Sequence, residues 1–320
     1  MSAIIRDNFK LNTMQAFINL ATSNSLYVGL ARPQYWDTST SSDTVVPSPE
    51  NTIAFVNQDS EDMIALKRLS AANMTPGIYR ETWTSNVKYD AYRHDWNGTI
   101  TAAYNGPTAS ATNPTSLSDV KCVVITANYN VYVCIKQSKS GGVVQPSLYS
   151  PQGGTAVGTN TGIIKTADGY YWKFIASTST DDYVKFASKF YHPLITVAAA
   201  PSPSDPYYIQ WQNQGYSANF KGGIYTINVL TNGTGYNGSI SGTRVVTNAE
   251  TDAQFKVIGD GIGLQYTVTY GSGGSIVDIE ITNPGNGYTH AAITAVGGTS
   301  ATFDVIFTTI QVWAYRRHEM

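Results

Sequence analysis

The chain has 320 residues, with 20 Lys and Arg against 22 Asp and Glu, so its net charge is −2 and only 13% of its side chains are charged, about half the usual share. This balance excludes a basic nucleic-acid binder, which needs clustered Lys and Arg for phosphates. The 42% apolar content excludes an acidic disordered tail, and no apolar run is long enough for a helical membrane span.

The length suggests two domains or one large one, with enough chain for a full hydrophobic core. Neutral hydrogen-bonding residues (28 Ser, 37 Thr and 22 Asn) and 22 Tyr replace the missing charge. That composition leans towards a protein that works in contact with other proteins, because interface cores are depleted in charge and enriched in aromatics.

In chain order, Met1 to Asp7 reaches charge before any apolar run forms, so no signal peptide is expected. Asp7 to Thr22 carries Leu11, Met14, Phe17, Ile18 and Ala21 at helical spacing. Ser25 to Ala31 reads as a short buried strand. Ser48-Pro49-Glu50 opens a second candidate helix, with Pro at its first position, running through Ile53, Phe55 and Val56 towards Met63 and Leu66. Helical signal is confined to this first quarter.

After Pro76 the pattern is β-structure with loops. Val120–Thr126 and Val131–Gln137 flank Asn128-Tyr129-Asn130 as a hairpin. Cys122 and Cys134 then sit at matching distances from the turn and read as two small buried hydrophobes rather than a disulfide or metal pair. Ser138–Gly162 is a long Gly/Ser/Pro/Thr-rich loop, Gly169–Ile175 a strand, and Pro201–Pro206 a linker. The expected organisation is a body over 1–206, a β domain over 207–312 and a C-terminal tail over 313–320.

The β domain contains an internal repeat. Ile224–Val229 leads into Asn232-Gly233-Thr234-Gly235-Tyr236. Ile276–Ile281 leads into Asn283-Pro284-Gly285-Asn286-Gly287-Tyr288, 52 residues later. Downstream, Ala253–Ile258 matches Ala301–Ile306 at an offset of 48. Period-two alternation places Ile224, Thr226 and Asn228 on one face and Tyr225, Ile227 and Val229 on the other. Neither unit buries a face alone, so the two are expected to pack together.

No combination of residues argues for catalysis or for a cofactor or metal. Gly233-Thr234-Gly235-Tyr236-Asn237-Gly238 satisfies G-x-G-x-x-G, but Ser239–Thr243 is poor helix material, so it reads as a turn and not as a dinucleotide site. His94, His192, His290 and His318 lack metal-ligand spacing. Asp181-Asp182 reads as a solvated Ser/Thr-rich turn rather than half of a hydrolytic carboxylate pair. Aromatic clusters stand out: Trp83, Tyr92 and Trp96 in one stretch, Tyr170 and Trp172 in another. Core packing is the plainer reading. The alternative is anchorage of another subunit, for which Trp36, Trp83, Tyr92, Trp96, Tyr170, Trp172, Tyr236 and Tyr288 are the candidates.

Several stretches, in order, resemble a baseplate wedge subunit of contractile-tailed bacteriophages. They are Leu26-Tyr27-Val28-Gly29-Leu30-Ala31-Arg32-Pro33-Gln34-Tyr35-Trp36, Met63–Leu69 with Arg80–Trp83, Val131–Cys134, and Thr166-Ala167-Asp168-Gly169-Tyr170-Tyr171-Trp172-Lys173-Phe174. The resemblance covers about residues 1–195. Residues 207–312 depart from it and look like a β-module scattered among phage virion proteins. The resemblance implies a mainly β fold with a few N-terminal helices, a β-sandwich-like body carrying the C-terminal β-repeat module. It also implies a non-enzymatic structural role in the virion tail, assembly in the host cytoplasm, and contacts with itself as a homodimer and with other baseplate wedge subunits. A second reading is a receptor-binding or adhesive tail protein that stacks host glycans on Tyr236 and Tyr288.

Overall fold

The computed structural model describes residues 13, 16–21, 23, 26–31, 63–93, 95–106, 113–114, 119–140, 142–157, 162–195, 197, 199–212 and 222–307. The protein is mainly β, and its chain divides into two compact units, Met1–Thr75 and Pro76–Met320.

In the first unit, residues 16–21 are helical, as the spacing of Phe17, Ile18 and Ala21 predicts. Strand β1 (Tyr27–Ala31) pairs antiparallel with β2 (Met63–Arg68). Two expectations are corrected here. The far end of the second candidate helix is β2, because the four-residue apolar run Met63–Leu66 finds a strand partner in β1; residues 48–62 lie outside the described residues. The strand at 27–31 forms but is not buried: Tyr27, Val28, Leu30, Ile64 and Leu66 are each more than half exposed. Among the described residues β2 is the only strand beside β1.

The second unit begins with β3 (Gly77–Tyr79), which pairs with β11 (Tyr191–Pro193). Its body is a five-stranded antiparallel sheet in the order β4 (Val123–Ile125), β5 (Val131–Lys136), β10 (Tyr171–Ala176), β9 (Ile163–Lys165), β8 (Thr155–Val157). The long loop of the sequence reading is more structured than expected. It holds the two-residue strands β6 (Lys139–Ser140) and β7 (Val143–Val144) and the edge strand β8, each too short to show alternation. β4 and β5 form the expected hairpin, with Cys134 N–H donating to Cys122 O at 2.8 Å. Neither cysteine forms a disulfide, and both are fully buried.

Helix also occurs beyond the first quarter, contrary to expectation. Thr180–Phe186 is a helix capped by Ser179, whose Oγ accepts from Asp182 N at 3.1 Å. Asp181 and Asp182 therefore lie in a helical first turn, where carboxylates favour the dipole, and not in an open turn. Seven residues are too few to display a helical period. A further helical turn over 208–212 is tied to the body: Gln210 accepts from Ser177 N at 2.9 Å and donates to Ile195 O at 2.7 Å. The Pro201–Pro206 stretch thus leads into a segment packed on the body.

Next come β12 (Ile224–Thr234), β13 (Gly242–Val246), β14 (Phe255–Gly259), β15 (Ile262–Tyr270), β16 (Ile276–Asn286), β17 (Ala291–Ala295) and β18 (Thr299–Phe307). Their pairing is crossed. The long strand of the second repeat, β16, pairs with β15 just before it, but β12 pairs with β18 at the far end. The registers coincide. Ile224, Ile227, Val229, Asn232 and Thr234 face Phe307, Val305, Phe303, Ala301 and Thr299. Ile276, Ile279, Ile281, Pro284 and Asn286 face Tyr270, Val268, Tyr266, Leu264 and Ile262. The long strands match at an offset of 52 and their partners at 37 (Phe307 against Tyr270). The offset of 48 is therefore not the structural one: β14 pairs with β17, whereas the 301–306 segment pairs with β12.

Register shifts at Tyr225 and Leu230 recur at Val277 and Thr282. Each bulge inserts one residue and breaks alternation. This corrects the expected faces of β12. Ile224, Ile227 and Val229 enter the repeat core together, while Tyr225 joins the core of the body.

Each repeat turn ends in a buried tyrosine held by glycine. Gly233 and Gly285 have φ of 58° and 63°, and a Cβ on either would crowd the strand opposite and its own tyrosine ring. Gly222 and Gly274, also 52 apart and at positive φ, each close over the tyrosine turn of the other repeat: a Cβ on Gly222 would meet the Tyr288 backbone, and one on Gly274 the Tyr236 carbonyl. Gly273 has φ +68° but open space around it. Gly273→Ala should therefore cost only the left-handed backbone penalty, about 1–2 kcal/mol. Gly274→Ala should cost at least about 2 kcal/mol more, from the added collision. Urea denaturation of the two variants measures the difference, and equal losses would refute it.

Candidate functional site

The aromatic candidates fall into three groups. Tyr170, Trp172, Tyr236 and Tyr288 are each at most 3% exposed, and Tyr92 is buried as well. Trp172 stacks on Tyr170 at 5.7 Å and meets Tyr89 edge-on at 5.6 Å, while the Tyr170 hydroxyl donates to Gln145 O at 2.6 Å. These are core side chains and offer no ring face to a partner. The idea that Tyr236 and Tyr288 stack glycans is overturned by the same burial. Trp83 and Trp96 are partly buried against the body core. Trp83 Nε1 donates to Ser147 Oγ at 3.2 Å. Trp36 lies outside the described residues.

The Asp168-Gly169-Tyr170 stretch has a structural role that its sequence does not announce. The Asp168 carboxylate accepts from Leu148 N at 2.6 Å, Tyr149 N at 3.1 Å and Tyr170 N at 3.3 Å, and from the Ser147 and Thr166 hydroxyls. Gly169 turns at φ +89°. One carboxylate thus fastens the 147–149 loop to the turn before β10.

The G-x-G-x-x-G stretch is a turn. Gly235 is left-handed, Asn237 and Gly238 have positive φ, and strand β13 follows. His192 is fully buried, with Nε2 at 2.9 Å from the Thr178 hydroxyl, and burial followed by the Arg80 charge lowers its pKa to about 4. Burial pushes the Cys134 thiol well above its ordinary range, which keeps it out of the reactive thiolate form. Among the described residues no three His, Cys, Asp or Glu converge as metal ligands.

Two features of the surface and interior do stand out. The first is apolar. Besides the β1–β2 pair, Tyr79, Phe190 and Tyr191 on and beside the three-residue strands β3 and β11 are all more than half exposed. Tyr79 and Tyr191 are 5.5 Å apart edge-on, and the Lys121 ammonium sits 5.5 Å from the Tyr79 ring.

The second feature is the seam between the body sheet and the repeat, where charged groups that are scarce elsewhere gather. Lys136 Nζ, almost wholly buried, lies 2.5 Å from Asp278 and donates to Ile279 O at 2.7 Å. Lys165 Nζ and the Tyr171 hydroxyl share Glu280 Oε1 at 2.6 and 2.8 Å. The Lys165 hydrogen bond, against burial, holds the Glu280 carboxyl below the usual carboxylate range. Lys139 Nζ donates to Val229 O at 3.0 Å and Asn228 Nδ2 to Ile135 O at 2.9 Å. A cleft of about 390 Å³ opens along this seam. Composition and spacing gave no sign of it, because its lysines lie on separate strands of the body and their partners on β12 and β16.

Lys173 on β10 is 2% exposed, with its ammonium 4.6 Å from the Tyr225 ring centre, and burial lowers its pKa from 10.5 to about 7. A folded pKa below the unfolded one means that the unfolded chain binds more protons between those values. Stability therefore rises with pH through that window. Urea midpoints should climb as pH rises from about 7 towards 10, and Lys173→Met should lose that climb; an identical pH slope in the two proteins would exclude a buried, deprotonating lysine. No protein-family model matches the chain, and no curated protein is found to be similar to it.

Proposed function

We propose that the chain is a structural subunit of a phage tail baseplate wedge, acting through protein–protein contacts during assembly and tail contraction and pairing with itself as a homodimer. The observation that carries this reading is the apolar side chains left in water on short paired strands. β1 and β2 hold five large or branched apolar residues more than half exposed, with Val28 and Leu30 on one face of the pair and Tyr27 and Leu66 on the other, and exposed apolar side chains grouped in this way mark interaction sites. The Tyr79–Phe190–Tyr191 patch is a second such surface, rich in the residue types that dominate contact hot spots. The ordered resemblance over about residues 1–195 supplies the kind of assembly.

Light scattering at micromolar concentration should give twice the chain mass, and a monomer under those conditions would count against the proposal. Leu30→Asp should lower the dimer fraction while leaving the urea midpoint of the Pro76–Met320 unit unchanged, because an exposed strand side chain adds little to the fold itself.

A further inference from the structure

Among the described residues the two copies of the repeat differ at their strand edges. β15 is paired on both sides, with β16 on one and β13 on the other, whereas its equivalent β18 pairs with β12 alone. The internal symmetry fixes where a further neighbour of β18 would lie. β13 runs antiparallel along Tyr266–Tyr270, with Arg244 at its centre opposite Val268. The matching stretch of β18 is Phe303–Phe307, and the matching centre is Val305.

Side-chain burial shows the same difference independently. Tyr266 and Val268 are 0% exposed and Tyr270 is 3% exposed. Their equivalents Phe303, Val305 and Phe307 pack against the same core but are only partly buried. One triplet reads Tyr, Val, Tyr and the other Phe, Val, Phe. The phenylalanines are the less polar and gain more from burial, so the difference lies in what packs alongside.

An open strand edge offers unmade backbone hydrogen bonds to another strand. Phe303-Asp304-Val305-Ile306-Phe307 carries no Pro, Lys or Arg to interrupt such pairing. It is also complementary to itself. Laid antiparallel on a second copy and centred on Val305, it sets Phe303 opposite Phe307, Val305 opposite Val305 and Asp304 opposite Ile306. Aromatic meets aromatic, and no two carboxylates stand directly opposite.

We propose that β18 pairs antiparallel with β18 of a second copy of this chain, with the twofold axis at Val305. The second copy then takes on β18 the place that β13 takes on β15. This pairing rests on the homodimer reading and names one of its contacts.

The test combines cysteine cross-linking with amide exchange on the full chain. Directly opposite residues of an antiparallel pair bring their Cα atoms within about 4.5–5.5 Å, inside the range of a disulfide. Val305→Cys should therefore give a disulfide-linked dimer under mild oxidation. Val296→Cys should not, although Val296 is exposed on the turn before β18. No cross-link at 305, or equal cross-linking at both positions, overturns the proposal. In the unmodified chain, the Phe303–Phe307 amides should exchange at least about tenfold more slowly in the dimer than in dilute monomer, because a paired amide exchanges only on opening. A dimer by light scattering with fast exchange at these amides overturns the pairing and leaves the homodimer standing. A monomer at micromolar concentration overturns both. Slow exchange in the monomer also overturns the pairing, by showing the edge covered within one chain. If circular dichroism shows Val305→Cys unfolded, the exchange result decides.

Discussion

The pairing of β12 with β18 is the constraint on which the rest of the second unit depends. It joins the first strand of the repeat region to the last, so the two copies interlock and neither closes alone. It also aims Tyr225 away from the repeat core and into the body core, through the bulge at that residue. The seam follows from the same placement. Once β12 lies along the body, Asn228 and Val229 meet Ile135 and Lys139, and the neighbouring β16 brings Asp278 and Glu280 to Lys136 and Lys165. A single strand pairing therefore holds the repeat together and sets the charged contacts that join it to the body.

Much of the architecture was legible in the residues. The hairpin at Cys122 and Cys134, the strand after Gly169 and the repeat of Ile224 at Ile276 depend on local pattern and turn chemistry, which a single sequence displays. What was not legible depends on neighbours distant in the chain. The 48-residue match of Ala253–Ile258 with Ala301–Ile306 was a resemblance of strand composition, whereas the true equivalence, Tyr266 with Phe303 and Tyr270 with Phe307, is seen only through the strands they pair with. Exposure of Leu30 and burial of Trp172 are likewise set by what packs alongside, and an apolar residue carries no mark of its side of the protein surface.

The low charge also takes a different meaning from the structure. Several charged groups have built partners: Asp168 organises a turn through backbone N–H groups, Asp182 lies in a helical first turn capped by Ser179, and Glu280 is shared by Lys165 and Tyr171. Paired charges of this kind specify geometry more than they add stability. Large apolar side chains, by contrast, are left exposed on β1, β2, β3 and β11.

The interlocked repeat also has a temporal side. During synthesis β15 and β16 can pair as soon as both have emerged, because only a short turn separates them. β12 has no such partner nearby, and Ile224 must wait for Phe307. Until that last strand is made, the edge of β12 stays unpaired and the Tyr236 turn is without its packing from β18. Long-range closure of this kind folds slowly and leaves a sticky edge open in the meantime. The repeat therefore acts as a clasp that only the finished chain can fasten, so a truncated chain ending before β18 would present an open strand edge to its neighbours.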